Sequence, residues 1–288
     1  NSGLGYESAK HLAKLGAHVV LACRNSAKCS AAQDTIKAEL PLASVDAMQL
    51  DLSSFESIYE FSSLFDSTYE HLDVLVNNAG IMALPERKLT KDGIEAQMGT
   101  NHFGHFLLTK LLFHKLAENG RIINHSSGAH MFHASTFPFS NLEMEEGYEA
   151  WTAYGNSKAA NLLFTYELNR RLSQEENPRN IISVAVHPGY ASTNLQTHSI
   201  PMYEWANFFF AMSVEDGALP QVQAAIGTSV EASMGDYIGP RYIMLGAPTV
   251  QSTLSSTHRP DAGFALWTAS ESRTGELFDV KSYIESTV

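Results

Sequence analysis

Asn1-Ser2-Gly3-Leu4-Gly5-Tyr6 opens into an amphipathic run ending at Leu15, and that run feeds Ala17-His18-Val19-Val20-Leu21-Ala22-Cys23-Arg24-Asn25. A glycine turn, a helix and then a β-branched strand make the second half of a βαβ unit, which points to an α/β fold. Glycines where a helix begins let backbone approach a pyrophosphate, while the helix N-terminus supplies N–H groups and positive dipole. A glycine pair at a helix start is also an ordinary turn, so the weight falls on the end of the next strand. Roughly twenty residues on, an NAD-binding strand end carries Asp or Glu for the ribose 2′-hydroxyl. Here it carries Arg24, with no acid between Glu7 and Asp34. Arg24 suits a 2′-phosphate through a charge-assisted fork; it also suits a solvated surface.

Outward from this stretch, short β-branched runs alternate with longer amphipathic ones. The pattern predicts strands over 17–23, 45–50, 72–76, 120–125, 181–187 and 241–245. It predicts helices over 4–15, 26–40, 54–69, 92–118, 150–173, 214–227 and 261–271. Several strands are apolar almost throughout, as expected where helices cover both faces of a parallel sheet. Ser53-x-x-Glu56 reads as a capping box for the third helix, and Ser213-x-x-Asp216 resembles one for the sixth. The loosest stretches, 128–149 and 190–213, each follow a strand, which places both at the ligand-facing edge of an open sheet. With no repeat, charge block or low-complexity linker, the expectation is one Rossmann-like doubly wound parallel sheet across residues 1–288, a single domain.

A formal charge of −12 argues against nucleic acid as a partner, since a basic stripe is missing, and against polybasic attachment to anionic lipid. Two cysteines, Cys23 and Cys29, without recurring spacing predict no disulfide framework and an intracellular, reducing compartment, the cytoplasm first. No run approaches about eighteen apolar residues, so no transmembrane segment is predicted, and no signal peptide is read at the N-terminus. His102-x-x-His105 and His130-x-x-His133 invite a metal, yet no carboxylate or thiol completes either set, and none is predicted.

Four further places carry chemistry. Asp51-Leu52 ends the second strand, where a side chain can reach an adenine amino group or simply cap the next helix beside Ser53. Asn77-Asn78-Ala79-Gly80 ends the third in amides and small residues, which suits a tight turn with close backbone approach to a ligand. Ser126-Ser127 ends the fourth, and Asn101 lies mid-chain on a helix. Tyr154-Gly155-Asn156-Ser157-Lys158 is the sharpest signal. Positions i and i+4 share a helix face, so phenol and ammonium sit one turn apart. The cation is expected to lower the tyrosine pKa toward working pH, as a general acid/base requires.

Taken in order, Gly3-x-Gly5, Asn77-Asn78-Ala79-Gly80, Asn101, Ser127, Tyr154-x-x-x-Lys158 and His187-Pro188-Gly189 resemble the motif set of the short-chain dehydrogenase/reductase superfamily. The resemblance spans essentially the whole chain. The long segment between Ser127 and Tyr154, Leu89-Thr-Lys-Asp-Gly93 and Asn101-His-Phe-Gly-His105 look most like the branch of retinol dehydrogenases, WW-domain-containing oxidoreductase and protochlorophyllide reductase. It implies catalysis by Asn101, Ser127, Tyr154 and Lys158. Tyr154 would give the proton in carbonyl reduction, and Lys158 would bind the nicotinamide ribose and tune Tyr154. Ser127 would hold the substrate oxygen, and Asn101 would hold a water in a relay toward Lys158. It implies NADP(H) held by Ser2, Gly3, Leu4, Gly5, Arg24, Asp51, Leu52, Asn78, Ala79, Gly80, Tyr154, Lys158, Pro188, Gly189 and Thr193.

The family begins with a first strand and a Thr-Gly pair just before the position of Asn1. Both are missing here, so the chain reads as N-terminally truncated, with unpaired backbone expected on two neighbouring strands. After Pro188-Gly189 the family places a substrate loop, here about 190–213, containing the aromatic stretch 202–212. That stretch favours a hydrophobic small-molecule substrate, an ordinary packed helix or a peripheral membrane contact. The expected activity is NADP-dependent reduction or oxidation of a hydrophobic carbonyl or alcohol. The alternatives are carbon–carbon double-bond reduction of the protochlorophyllide reductase type and a non-catalytic nucleotide- or partner-binding module. The oligomeric state stays open.

Overall fold

The computed structural model describes residues 1–133, 139–174, 177, 179–189, 213–227, 235–242 and 246–285. In it β1 (Val19–Cys23) pairs in parallel with β2 (Val45–Gln49). β3 (Leu72–Asn77), β4 (Leu116–His125), β5 (Ile182–Val186) and β6 (Tyr237–Pro240) lie side by side in parallel, and β7 (Pro248–Gln251) closes the far edge antiparallel. Among the described residues β1 pairs only with β2 and β3 only with β4, so the sheet is split between β1 and β3. The substrate-loop stretch and Thr193 lie outside the described residues, Ser213 excepted.

Helices cover both faces. α1 (Gly3–Lys14), α2 (Ser26–Glu39) and α3 (Phe55–Thr68) follow the sequence expectation within two residues. α4 runs through Ala96–Met98, Gly99–Phe103 and Gly104–Leu112; α5 is Ala150–Gln174, α6 Val214–Ile226, α7 Pro260–Thr274 and α8 Val280–Glu285. In β4, Ile122 and Ile123 are both fully buried on opposite faces, as a two-residue period requires. Ile122 joins Phe106, Leu107, Phe164, Trp267 and Phe278 beneath α4, α5 and α7. Ile123 joins Val184, Val186, Ala224 and Ile238, with Leu12 of α1 packed against them. A doubly covered parallel sheet explains why the strands read as unbroken apolar runs.

Four expectations need correction. The cap of α3 is Ser54, whose side chain accepts from Ser57 N–H, one residue beyond the predicted capping box. The helix predicted over 92–118 stops at Leu112, because Leu116 already pairs with Leu72 at the start of β4. The last parallel strand among the described residues is 237–240, where buried Tyr237 and Ile238 face Ala185 and Val186; of the strand expected over 241–245, Arg241 and exposed Tyr242 lie in a turn, and 243–245 lie outside the described residues. Cys23 and Cys29 are joined as a disulfide, with Cα atoms 5.7 Å apart. The end of β1 and the first turn of α2 bring the two Cβ atoms within bridging reach. The cysteine argument for a reducing compartment therefore falls. No helix among the described residues is long and apolar enough to cross a membrane.

Candidate active site

The ends of β3 and β4 meet α5 where α4 breaks its regular pattern. Gly99–Phe103 of α4 is a π-helical turn, the kind of insertion that re-aims a side chain at functional sites. It directs Asn101, fully buried, at the turn after β3. Asn101 Oδ1 accepts from Ile81 N–H at 2.8 Å, and Nδ2 donates to Ile81 O at 2.9 Å and to Ser157 Oγ at 2.9 Å. The backbone carbonyl of Asn101 accepts from His105 Nδ1. One asparagine thus pins the Asn78-Ala79-Gly80-Ile81 turn to α5. A Cβ placed on Gly80 would lie 3.1 Å from Asn101 Oδ1 and 3.4 Å from Lys158 Nζ, so a side chain there would crowd Asn101 in particular.

The serine pair divides its work. Ser126, fully buried, donates to the Lys158 carbonyl at 2.8 Å and ties β4 to α5. Ser127 accepts from Ala129 N–H and faces the Tyr154 phenol. Beyond it, a Cβ on Gly128 would meet open space. Tyr154 and Lys158 are 7% and 3% exposed, and the Lys158 ammonium lies 5.7 Å from the Tyr154 ring centre. Lys158 donates to the His125 carbonyl at 3.1 Å, and Asn161 donates to the same oxygen at 3.0 Å.

The electrostatics differ from the sequence expectation. Burial pushes the Tyr154 phenol up to about 12, with Ser127 working the other way. Burial pushes the Lys158 ammonium down to about 8. Desolvation sets the direction in this arrangement, and the ammonium is engaged with a carbonyl rather than with the phenol oxygen.

At the same edge of the sheet, α1 begins at Gly3 with φ +55, after Ser2 in extended conformation. A Cβ on Gly5 would stand 2.6 Å from Asn78 Nδ2, so the first glycine turn packs directly on the turn after β3. The Leu4 carbonyl accepts from Gln221 of α6. Arg24 is exposed one residue past β1 and makes no ion pair among the described residues. Asp51 accepts from Ser53 N–H and Oγ, at 3.1 and 2.6 Å, and lies 3.5 Å from Lys91, so it does cap the chain leading into α3. Leu52 is buried in the core. Pro188 and Gly189 follow β5, Gly189 at φ +71 with its N–H on His187 Nδ1.

Sequence reasoning missed the scaffold behind the site. Asn77 Nδ2 donates to Asn124 Oδ1 and Thr109 Oγ1; Asn124 donates in turn to Thr165 Oγ1 and Ser183 Oγ. Asparagines inside otherwise apolar strands were the available signal. The histidines of the 102–105 pair are both engaged: His102 Nε2 meets Ser270 Oγ at 2.8 Å. Burial pushes His102 down to about 3 and His105 to about 4. Both folded values lie below 6.5, so the unfolded chain takes up protons first as pH falls. Their contribution is full above about pH 6.5 and is lost progressively toward those values, on the order of 5–10 kcal/mol together. The unfolding midpoint should therefore drop as pH is lowered from about 7 to about 4. His102→Gln, which keeps a partner for Ser270, should flatten that drop; an equally steep one removes His102 from the account.

Comparison with known proteins agrees with this geometry. Residues 1–204 match the model of the short chain dehydrogenase family. The chain is 41% identical over 241 residues to retinol dehydrogenase 11 of Homo sapiens, covering 82% of this chain and 74% of that protein. It is 38% identical over 247 residues to the chloroplastic short-chain dehydrogenase TIC 32 B of Brassica napus, covering 82% and 76%. An uncharacterized protein from Mycobacterium Paratuberculosis superposes with a TM-score of 0.80 at 36% identity, over 96% of this chain and 91% of that one. A short chain dehydrogenase from Burkholderia cenocepacia, solved in complex with NADP, superposes with a TM-score of 0.64 at 25% identity, over 85% and 93%.

Proposed function

The chain belongs to the short-chain dehydrogenase family and is an NAD(P)-dependent oxidoreductase acting on CH–OH groups; we propose that it uses NADP(H) and acts on a hydrophobic carbonyl or alcohol. The carrying observation is the convergence of Ser127, Tyr154 and Lys158 on one buried point behind an open rim at Gly128. Tyr154, held protonated by burial, gives its proton to a carbonyl oxygen that Ser127 orients. Lys158 would hold the ribose beside it. Asn101 would keep a water relay toward Lys158 in line, since its Oδ1 and the ammonium both border Gly80. The same residue set serves a single domain across the chain.

The residues present fit a dinucleotide, as glycine at 80 leaves backbone bare between Asn101 and Lys158. Ser2 to Gly5 and Asn78 to Gly80 would hold its phosphates and ribose, Asp51 and Leu52 its adenine, and Pro188, Gly189 and Thr193 its nicotinamide. Bound there, it supplies the hydride. The apolar character of the substrate is supported by the relatives named for retinol and by the aromatic stretch 202–212. A screen of apolar aldehydes, ketones and retinoids, followed by NADPH absorbance, tests the whole reading; turnover confined to sugars or amino acids would overturn the substrate class.

Selection of NADP(H) rests on Arg24, an exposed cation without an ion pair among the described residues, at the strand end where an acid would select NAD. Arg24→Ala should weaken NADPH binding about ten- to hundredfold, the worth of one charge-assisted phosphate contact, and leave NADH binding nearly unchanged. Titration of both cofactors decides it. A wild type that prefers NADH, or a variant that keeps the NADPH preference, refutes the assignment.

A further inference from the structure

Beside Ser127 lies a second concavity that the proposed chemistry does not use. Its volume is ≈ 310 Å³, and it is lined by Gly128, His130, Tyr237, Gln251 and Ser252, with Arg241 among its exposed residues. Three polar side chains of its wall are almost wholly buried: His130 at 1%, His187 at 2% and Tyr237 at 4% exposed. They are stacked into a fixed panel. The Tyr237 ring lies flat on His187, with centres 4.8 Å apart, and the His130 ring meets it edge-on at 5.4 Å. His187 has both nitrogens engaged, Nε2 with Gln251 Oε1 and Nδ1 with Gly189 N–H. Gly239 locks it further, since a Cβ there would fall 1.8 Å from His187 Nε2.

The Tyr237 hydroxyl has no hydrogen-bond partner among the described residues, and neither has one nitrogen of His130. Its Nδ1 lies 2.6 Å from the Ser127 carbonyl, and a carbonyl only accepts, so Nδ1 carries the proton. Burial also holds the ring neutral. Nε2 is then a bare lone pair, buried and without a hydrogen-bond partner among the described residues. Leaving such an acceptor unmade is costly, and each instance in a folded protein calls for a cause. An anion cannot be that partner, because the lone pair repels it. A cation would face Arg241 at the rim. A neutral donor suits both. The cavity is also roughly ten times the share of liquid volume that one water takes, about 30 Å³.

We propose that this cavity is a substrate subsite for a hydroxyl group carried at a distance from the reacting carbonyl, with His130 Nε2 as its acceptor. The inference rests on the oxidoreductase reading above and narrows it: the substrates handled best are hydroxylated carbonyl compounds or the corresponding diols. Ser127 couples the two places, since its side chain faces Tyr154 while its carbonyl fixes the tautomer of His130.

The test compares straight-chain aldehydes of graded length with their ω-hydroxy counterparts, by kcat/KM with NADPH. At the length that spans the two places, wild type should favour the hydroxylated member about tenfold, the worth of one neutral hydrogen bond. His130→Asn keeps a donor for the Ser127 carbonyl and removes Nε2, so the ratio should fall to about one whatever the absolute rates do. A ratio near unity at every length in wild type, or one that survives His130→Asn, overturns the proposal. If wild type reduces none of these aldehydes, the reading of function is in question and the subsite is read separately by ¹⁵N NMR of the histidine rings. An upfield move of the His130 Nε2 resonance with ω-hydroxy compounds, and not with their plain counterparts, supports the subsite. The same resonance with either compound means that the cavity holds water only, and the proposal fails.

Discussion

Tyr154→Phe should give a folded, cofactor-binding protein whose turnover is about 10²–10⁴-fold below wild type, the usual cost of losing a positioned acid/base. The substitution removes one oxygen and keeps a ring that is 7% exposed and packed edge-on against Trp151. Core volume is conserved, so stability should change by no more than about 1.5 kcal/mol, the upper end for one neutral hydrogen bond. NADPH affinity should stay within a few-fold, since Lys158 and the glycine turns are untouched. The pH profile carries further information. With the phenol pushed up to about 12 by burial, Tyr154 is an acid throughout the neutral range. Carbonyl reduction should then lose no rate to its ionisation there, whereas alcohol oxidation should climb with pH. Single-turnover rates for wild type and variant, with cofactor affinity measured alongside, check all three. A variant rate within a few-fold of wild type on any reduced substrate would sink the mechanism and leave a nucleotide-binding module.

Why Tyr154 could be singled out before any coordinates, and His130 could not, has a physical answer. The i, i+4 spacing of Tyr154 and Lys158 is a local property of one helix, and local geometry is legible in sequence. The same holds for the glycine turn at α1 and for strand runs buried on both faces. What stayed hidden is set by register across the sheet. That Asn124 meets Asn77, or that Lys158 and Asn161 share the His125 carbonyl, depends on how β3, β4 and α5 slide against each other. The last parallel strand was misplaced for a related reason. Residues 241–245 are the more apolar run in sequence, yet Tyr237 and Ile238 pair with β5, and Ile238 packs against Ala224 and Ala225 of α6. The direction of the Tyr154 shift was missed because charge sign can be read from letters and desolvation cannot. The disulfide was missed because six residues of separation say nothing about a strand end meeting a helix start.

Lys158→Met should move activity and stability in opposite directions. Lys158 is 3% exposed, and burial pushes its ammonium down to about 8 from 10.5. Between those values the unfolded chain binds more protons than the folded one, so stability rises with pH across about 8 to 10.5. Below about 8 the protein carries the full penalty of a buried charge, on the order of 2–3 kcal/mol. Methionine fills a similar volume without the charge. Nor does its loss orphan the His125 carbonyl, because Asn161 Nδ2 still donates to it at 3.0 Å. The variant should therefore be more stable than wild type at neutral pH by about that amount, and the rise toward alkaline pH should vanish from its unfolding curve. Catalysis should fall all the same, by about a hundredfold or more in kcat/KM, through lost hold on the ribose and a phenol without its neighbouring cation. Any residual oxidation should peak at higher pH than in wild type. A lysine kept only for packing predicts the reverse, a variant less stable and nearly as active. Urea unfolding at about pH 7 and pH 10, beside cofactor titration and pH–rate profiles, separates the two.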